Sequence, residues 1–304
     1  MTHNRKEFIG SSDAAALWNA SPYKSYYSLY KEKFEGKEVA ATGTPLVWGN
    51  RLESVIAKGF AEDLGLIIEK AEFAVSPSIN GMAATPDYYI TGVTPNAPEE
   101  IKGMFLLYGK GILEIKNVDF FQNMKNWEEG NSTNYIEIQI QHQMATTGLT
   151  WCIIGALVGG NTPKHIIRTI NHEFIDKHIR KIEEFWNLKS PPHPDYHPAT
   201  TDILLATNKA VDADRVVLID NPEVEDLARD FIAAQEITKA LGADLREKEK
   251  ELNFLKSNLF EKIGDAGTAQ IADIVMESKV VHRKGFTTQG TSYRTLTIKR
   301  KETI

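Results

Sequence analysis

Glu114 and Lys116 lie two residues apart in GILEIKNV, residues 111–118, a stretch with the apolar composition of a buried strand. Side chains alternate between the two faces of a strand, so these two residues share one face. The pattern therefore places a carboxylate beside an ammonium group. A solvated strand face with a weak ion pair is the alternative interpretation, because Glu-x-Lys occurs four times in this chain.

Asp87 is a second acidic residue that the chain can bring to the same place. It lies 27 residues before Glu114 in ATPDYYI, where Pro86 restricts the backbone. If the two strands pair as a hairpin, Asp87 and Glu114 occupy adjacent positions of one sheet. Two close carboxylates repel each other unless a cation compensates them, and magnesium takes one or two carboxylates with water and substrate phosphate. This arrangement predicts phosphodiester hydrolysis, with Lys116 orienting the nucleophile and stabilising the anion.

The overall composition limits the class of protein. The chain has 304 residues, of which 42% are hydrophobic and 25% charged, as expected for a globular protein with a substantial core. Its formal net charge of -6 excludes a generally basic protein that coats nucleic acid, so any DNA site must be a local basic patch. Cys152 is the only cysteine, which excludes disulfides and cysteine-ligated metal centres within one chain. With no signal-peptide core and no apolar run of membrane length, we expect a protein of the reducing cytoplasm.

The pattern of elements predicts an α/β sheet domain over residues 1–200. Helices are predicted in five segments: a short one after Ser11–Asp13, one ending at Gly36, 48–65, 135–148 and 176–188. Strands are predicted at 67–69, 72–76, 83–90, in WCIIGALVGG and in KHIIRTINHEF. GVTPNAPEEIKG is predicted to be a loop, and MFLLYGKGILEIKNV a hairpin. Four tyrosines at helical spacing are predicted to pack in the core rather than to stack on bases: Tyr23, Tyr26, Tyr27 and Tyr30.

Residues 201–304 are predicted to form a separate helical segment with a small basic β tail. Apolar residues recur from Val224 to Leu259 in alternating steps of three and four, which indicates a long helix or, if Gly242 bends it, a helical hairpin. The basic tail alternates like a two- or three-stranded antiparallel sheet, and its charges fit a solvated edge and nucleic-acid contact equally well. The proline-rich segment 190–200 is predicted to be a linker, with His193 and His197 as plain loop residues.

Five motifs in order resemble one nuclease family. Asp87 followed by Glu114-Ile115-Lys116 is similar to the PD-(D/E)xK nuclease signature. The motifs are IGSSDAAALW with SPYKS, WGNRLES, ATPDYYI, GILEIKN and YIEIQIQHQM, and their order resembles the lambda-exonuclease-like, or YqaJ viral recombinase, family. The resemblance covers about residues 5–190. It implies an α/β fold with a PD-(D/E)xK nuclease core, in which helices flank a mixed central sheet.

The resemblance also implies a divalent-metal site and its catalytic residues. Asp87, Glu114 and the backbone carbonyl of Ile115 would bind Mg²⁺ or Mn²⁺, with two ions per site. Glu53, which by its helical position alone would be an ordinary rim glutamate, matches a helix-borne acid of the site and is a further candidate metal ligand. Lys116 would be the catalytic lysine.

Residues elsewhere match the family's remaining functional positions. Gln139 matches the active-site glutamine near the attacking water. Arg5, Ser12 and Thr85 fall where the family binds the 5′-terminal phosphate of DNA. Gln141 and His142 match the same helix motif, and helix packing is their expected role.

The expected function is a magnesium-dependent 5′ to 3′ exonuclease on double-stranded DNA ends, which leaves 3′ single strands for phage or prophage recombination. The resemblance further implies a trimeric ring around DNA, a single-strand annealing partner and the bacterial host cytoplasm. Two alternatives stay open: an endonuclease on the same core, and a non-catalytic DNA-binding or assembly protein organised by the apolar seam. The segment 92–110 is longer than the family pattern, and residues 201–304 have no counterpart in lambda exonuclease itself.

Overall fold

The computed structural model describes residues 5–37, 44–119, 127, 129–207, 220–283 and 291–300. The chain divides into two compact units, Met1–Val211 and Asp212–Ile304. The first unit is a mixed α/β fold, and the second contains a long helix and a small sheet. The predicted fold class is confirmed, whereas the functional boundary predicted at residue 200 stays a prediction.

A five-stranded mixed sheet lies at the centre of the first unit, with the order β1-β4-β5-β6-β7. Its strands are β1 Leu66–Lys70, β4 Tyr88–Val93, β5 Gly111–Val118, β6 Trp151–Val158 and β7 Thr162–Thr169. Strands β5 and β6 are parallel, and the other neighbours are antiparallel. A two-residue pair, β2 Ala74–Val75 with β3 Ala83–Ala84, lies outside this sheet.

Helices cover both faces of the central sheet. The first unit contains α1 Tyr26–Glu35, α2 Thr44–Asp63, α3 Glu99–Tyr108, α4 Asn134–Thr147, α5 His172–Trp186 and α6 Pro198–Thr207. Phe60 of α2 packs in one core cluster with Leu113 of β5, and Ile140 of α4 packs in another with Ile112 of β5. Because neighbouring residues of a strand point to opposite faces, α2 and α4 lie on opposite sides of β5. Glu114 has the same alternation as Ile112 and therefore faces α4.

The N-terminal segment packs beside α5 in a third cluster. Ile9, Leu29, Met82 and Phe185 are buried together there. Ser25 caps α1 by accepting a hydrogen bond from the Ser28 N–H at 2.9 Å, and Gly36 ends the helix with φ +68°. The predicted helix ending at Gly36 is thus confirmed.

Three local predictions are wrong. GVTPNAPEEIKGMFLLY contains helix α3 instead of a loop and a strand, because Glu99 and Glu100 begin a helix whose Ile101 is buried against the core. The strand predicted at 83–90 is two strands, interrupted at Thr85–Asp87 around the proline. Among the four tyrosines predicted to lie in the core, Tyr27 and Tyr30 are buried, but Tyr23 is 76% exposed because it precedes α1 instead of lying on its packed face.

The second unit contains one continuous helix and a three-stranded sheet. Helix α7, Pro222–Ile263, has 42 residues and a length of about 63 Å. Gly242 does not bend it, and none of its described side chains is buried within the chain. Strands β8 Thr268–Ile271, β9 Ile274–Arg283 and β10 Thr291–Arg300 form an antiparallel sheet in the order β10-β9-β8. Most of the tail's basic side chains, from residue 280 onward, lie outside the described residues.

Within the described ranges, no helix combines the length and the apolar character that a membrane span requires.

Candidate active site

The antiparallel pairing of β4 and β5 brings the two predicted acids together. Tyr88 pairs with Leu113 in the ladder, and Asp87 and Glu114 lie one residue beyond that pair. The backbone N–H of Ile115 donates a hydrogen bond to Asp87 Oδ2 at 2.8 Å. The predicted convergence of Asp87 and Glu114 at adjacent positions of the sheet is therefore observed. The strand that pairs with β5 is β4, and helix α3 lies between them in the sequence, where a strand was predicted.

Glu114 is buried, with only 1% of its surface exposed. Its Oε1 accepts hydrogen bonds from Lys116 Nζ and Gln139 Nε2, both at 2.6 Å. Its Oε2 accepts a third from Gln143 Nε2 at 2.9 Å. Buried charges require such partners, so the alternative of a solvated strand face with a weak ion pair is wrong for Glu114.

The two glutamines come from one face of α4, one helical turn apart. Gln139 was expected at the site from the resemblance, whereas no role was predicted for Gln143. Gln143 is fully buried, and its Oε1 has no hydrogen-bond partner among the described residues. The spacing of four residues from Gln139, one helical turn, is the sequence signal that could have identified it.

The surroundings raise the pKa of both Asp87 and Lys116, for different reasons. Burial, followed by the charge of Glu114, raises the pKa of Asp87 to about 8, against the opposing effects of Lys116 and the Ile115 N–H. Burial acts to lower the pKa of Lys116, but Glu114 and Asp87 outweigh it and raise that pKa above its ordinary value. Lys116 is therefore a cation at neutral pH, suited to stabilising negative charge rather than to accepting a proton.

Glu53 lies on α2 and contacts Lys70 Nζ, the last residue of β1. After burial and the charge of Glu114, the charge of Glu53 also contributes to the raised pKa of Asp87. The described residues contain no group of three or more His, Cys, Asp or Glu side chains able to hold a metal ion together. Glu53 is therefore paired with a lysine here and does not join Asp87 and Glu114 in a common cluster.

The donor set fits a cation of the magnesium type. Such an ion needs only one or two protein carboxylates and completes its shell with water and phosphate oxygens. Asp87 and Glu114 supply two, and burial followed by the charge of Glu114 raises the pKa of Asp87, both of which a bound cation would oppose by favouring the ionised carboxylate. The residues that could hold the ion are Asp87 and Glu114, with the backbone carbonyl of Ile115 beside them.

The segments of the predicted phosphate-binding residues run side by side. Ile9 and Met82 form a parallel bridge, in which the Ile9 N–H donates to Gly81 O at 2.8 Å. Ser12 and Thr85 each lie three residues beyond this bridge, and both are exposed. Arg5 lies in the short 3-10 helix Arg5–Glu7, and its side chain is outside the described part.

Buried ion pairs anchor the loop that carries Ser12. Asp13 Oδ1 contacts Lys24 Nζ at 2.6 Å, and Asp13 Oδ2 contacts Lys33 Nζ at 2.7 Å. Asp13 makes no side-chain cap hydrogen bond with the short 3-10 helix Ala14–Trp18 that follows it. The ion pairs fix the backbone next to Ser12, which leaves the Ser12 side chain exposed.

A directed hydrogen-bond relay ties the site helix to its surroundings. Trp18 Nε1 donates to His178 Nδ1 at 2.9 Å, His178 Nε2 lies 2.9 Å from His142 Nδ1, and His142 Nε2 lies 3.0 Å from Ala83 O. Because an indole N–H can only donate, every proton of the relay is assigned when both imidazoles are neutral. The expected packing role of His142 is thus a specific one, which links α4 to β3.

Comparisons with known proteins show a similarity for the part of the chain that contains most of this site. Residues 2–150 match the model of the YqaJ-like viral recombinase domain. Residues 2–150 are therefore similar to this domain, in agreement with the resemblance seen in the motifs. No curated protein sequence matches the chain.

Three exonucleases are among the solved structures to which the chain shows some similarity. An alkaline exonuclease, LHK-Exo, from Laribacter hongkongensis is 17% identical with a TM-score of 0.47, over 67% of this chain and 94% of its own. A phage related exonuclease from Haemophilus somnus 129PT is 14% identical with a TM-score of 0.36, over 57% and 80%. A putative exonuclease from Eubacterium rectale is 12% identical with a TM-score of 0.36, over 73% and 93%.

Proposed function

We propose that this protein is a divalent-metal-dependent 5′ to 3′ exonuclease that acts on double-stranded DNA ends and leaves 3′ single strands for phage-type recombination. The observation that carries the proposal is the buried Glu114 carboxylate, which accepts hydrogen bonds from Lys116 and Gln139 at 2.6 Å beside Asp87. The similarity of residues 2–150 to the YqaJ-like viral recombinase domain supports the same role.

Asp87 and Glu114, with the backbone carbonyl of Ile115, would hold Mg²⁺ or Mn²⁺, two ions per site. Ions of this kind supply a nucleophilic water at neutral pH and neutralise charge on the phosphorus oxygens. Lys116 donates from its ammonium to the anionic oxygens that develop on the scissile phosphate. Gln139 orients the Glu114 carboxylate near the attacking water, and Glu53 is a further acid at the edge of the site.

Polarity would come from a site for the terminal phosphate. The hydroxyl groups of Ser12 and Thr85 donate to phosphate oxygens, and Arg5 supplies the opposite charge. A 5′-phosphate held there positions the first phosphodiester bond at Glu114 and Lys116. The whole enzyme is proposed to be a trimeric ring around DNA, in which residues 1–200 form the nuclease domain. We further propose that it acts in the host cytoplasm with a single-strand annealing protein as its partner.

The decisive experiment is digestion of linear duplex DNA with 5′-phosphate or 5′-hydroxyl ends, in Mg²⁺ or with a chelator. We expect release of mononucleotides from the 5′-phosphorylated strand, slower release from the 5′-hydroxyl strand, and none with the chelator. A label at the 3′ end must stay on long products. Release of the 3′ label first would contradict the proposed polarity.

The same assay separates the two alternatives. Cleavage of covalently closed circles would favour an endonuclease on the same core. No cleavage of any substrate, together with equal Mn²⁺ binding by the wild type and Glu114→Ala in calorimetry, would favour a non-catalytic DNA-binding or assembly protein.

A further inference from the structure

Lys70 lies at the edge of the acidic group, yet the site described so far does not use it. It is the last residue of β1 and pairs in the ladder with Tyr88, the residue after Asp87. The backbone N–H of the next residue, Ala71, donates to Asp87 O at 3.2 Å. The backbone of β1 and β4 therefore holds Lys70 beside the backbone of Asp87, at a ladder position whose side chains face α2.

The Lys70 side chain reaches Glu53 while it stays open to solvent. Its Nζ contacts the Glu53 carboxylate and lies 4.6 Å from the centre of the Tyr88 ring. Its side chain is 57% exposed, compared with 26% for Glu53. Burial acts to lower the pKa of Lys70, but Glu53 and, after it, Asp87 outweigh burial and raise that pKa. Lys70 is thus an accessible ammonium group within electrostatic reach of two acids.

Charge balance explains the contact between Lys70 and Glu53. Lys116 Nζ forms an ion pair with Glu114 Oε1 at 2.6 Å. Lys70 is the cation that forms an ion pair with Glu53. A divalent ion held by Asp87 and Glu114 would repel the Lys70 ammonium and attract Glu53 in its place. The flexible four-carbon stem of lysine lets a half-exposed ammonium move to another anion nearby.

We propose that Lys70 is a further DNA-binding residue, which neutralises Glu53 in the metal-free protein and contacts a backbone phosphate once the divalent ion is bound. This inference rests on the proposed function, because it assumes that metal and DNA meet at this edge of the sheet. It makes two predictions of opposite sign for one substitution. Removal of Lys70 strengthens metal binding and weakens DNA binding.

The first arm of the test measures Mn²⁺ binding by calorimetry without DNA. We expect Lys70→Met to bind Mn²⁺ about fivefold more tightly than the wild type, because Glu53 is free and a repelling charge is gone. In the Glu53→Gln background, Lys70→Met should give a markedly smaller gain. Lys177→Met is the matched control, since Lys177 is 53% exposed and paired with Glu173 at 2.6 Å on α5. Equal Mn²⁺ affinity of Lys70→Met and wild type would overturn the proposed competition.

The second arm measures binding of a 5′-phosphorylated duplex by fluorescence anisotropy in Ca²⁺ over a range of salt concentrations. We expect Lys70→Met to reduce the slope of log affinity against log salt by about one, as for the loss of one phosphate contact. Lys70→Arg keeps the charge and should keep the slope. An unchanged slope for Lys70→Met would refute the DNA contact. If the wild type binds neither Mn²⁺ nor duplex, the proposed function itself fails.

Discussion

At the residue scale, the state of Lys116 follows from the two acids beside it. Their charges hold the ammonium protonated, and the hydrogen bond to Glu114 fixes its direction. A protonated lysine in a site with little water stabilises a developing anion more strongly than it could in bulk solvent. This geometry argues for a role in charge stabilisation rather than in proton abstraction.

Lys116→Ala should lower the rate of linear-DNA digestion by at least about a hundredfold while the far-UV circular dichroism spectrum stays unchanged. The physical reason is loss of the one cation hydrogen-bonded to Glu114. Lys177→Ala serves as the control. A smaller loss with the fold intact would show that the catalytic role of Lys116 is wrong.

Gln143 is a positioning residue at the same scale. It donates to Glu114 Oε2, and loss of an outer hydrogen-bond partner typically costs about tenfold to a hundredfold in metal affinity or activity. We expect Gln143→Leu to weaken Mn²⁺ binding in calorimetry by at least about tenfold. Its free energy of unfolding should also fall by about 1–3 kcal/mol, because the buried Glu114 Oε2 loses this donor, and removal of the unpaired Oε1 offsets part of that loss.

Gln141→Leu is the matched comparison on the same helix. Gln141 donates to Thr169 O and accepts from the Asn171 N–H, both away from Glu114. Its replacement should therefore lower the free energy of unfolding by about 1–3 kcal/mol and leave Mn²⁺ binding unchanged. The reverse pattern for the two glutamines would contradict the positioning role of Gln143.

At the element scale, the relay from Trp18 through His178 and His142 to Ala83 joins four separate elements by side-chain hydrogen bonds. Burial lowers the pKa of His142 to about 4 and, together with the charge of His142, that of His178 to about 3. Protonation of either ring would set two N–H groups against each other. The relay therefore requires both histidines to be neutral.

This relay predicts loss of stability in mild acid. Well above pH 6.5, at about pH 8, both histidines are neutral in the folded and the unfolded chain, so they contribute no pH dependence there. Below it the unfolded chain binds protons that the folded chain rejects until about pH 4, so the free energy of unfolding falls. We expect a loss of about 2 kcal/mol per histidine between pH 6.5 and 5 in urea titrations.

His178→Gln is the control for this pH dependence, because an amide can accept from Trp18 and donate to His142 without titrating. The variant should lose the His178 share of the slope between pH 6.5 and 5. A slope equal to that of the wild type would show that His178 does not contribute.

Gly155 sets the distance between α2 and the sheet. A Cβ atom at this position would lie 2.8 Å from Phe60 Cδ2 of α2. Gly155→Ala should therefore lower the free energy of unfolding in urea by about 1–3 kcal/mol through overpacking. Gly59→Ala, on α2 itself with no atom within 4 Å, should instead stabilise the protein by up to about 1 kcal/mol. Equal effects of the two substitutions would contradict this packing argument.

At the scale of the whole molecule, the two units differ in how far their apolar side chains are exposed to solvent. The first unit has several buried clusters, whereas α7 exposes its apolar row, with Leu241 at 63% and Leu245 at 60%. A row of this kind is typical of a helix that packs against a partner. The resemblance that implies a trimer covers only about residues 5–190, so we expect the subunit contacts of the proposed trimer to lie in the first unit.

We expect light scattering to give about three times the 34.1 kDa mass of one chain. The trimer should persist in the double variant Leu241→Asp/Leu245→Asp, because these residues lie outside the segment that predicts it. A monomeric mass for the wild type would contradict the trimer. A fall in mass only in the double variant would assign the contacts to α7.

The local sequence determined which residue types could do chemistry and where most elements lie. Asp87, Glu114 and Lys116 were found from strand alternation, and the long helix from its heptad steps, because both patterns depend on neighbours along the chain. The order of the motifs also led to the family.

The tertiary structure decided how those residues are used. Only the packing of α4 on β5 buries Glu114 and brings Gln143 to it, and only the pairing of β1 with β4 places Lys70 beside Glu53. Helix α3 was missed because its loop-like composition is overridden by burial of Ile101. Burial and contact depend on segments far apart in the chain, which no local pattern encodes.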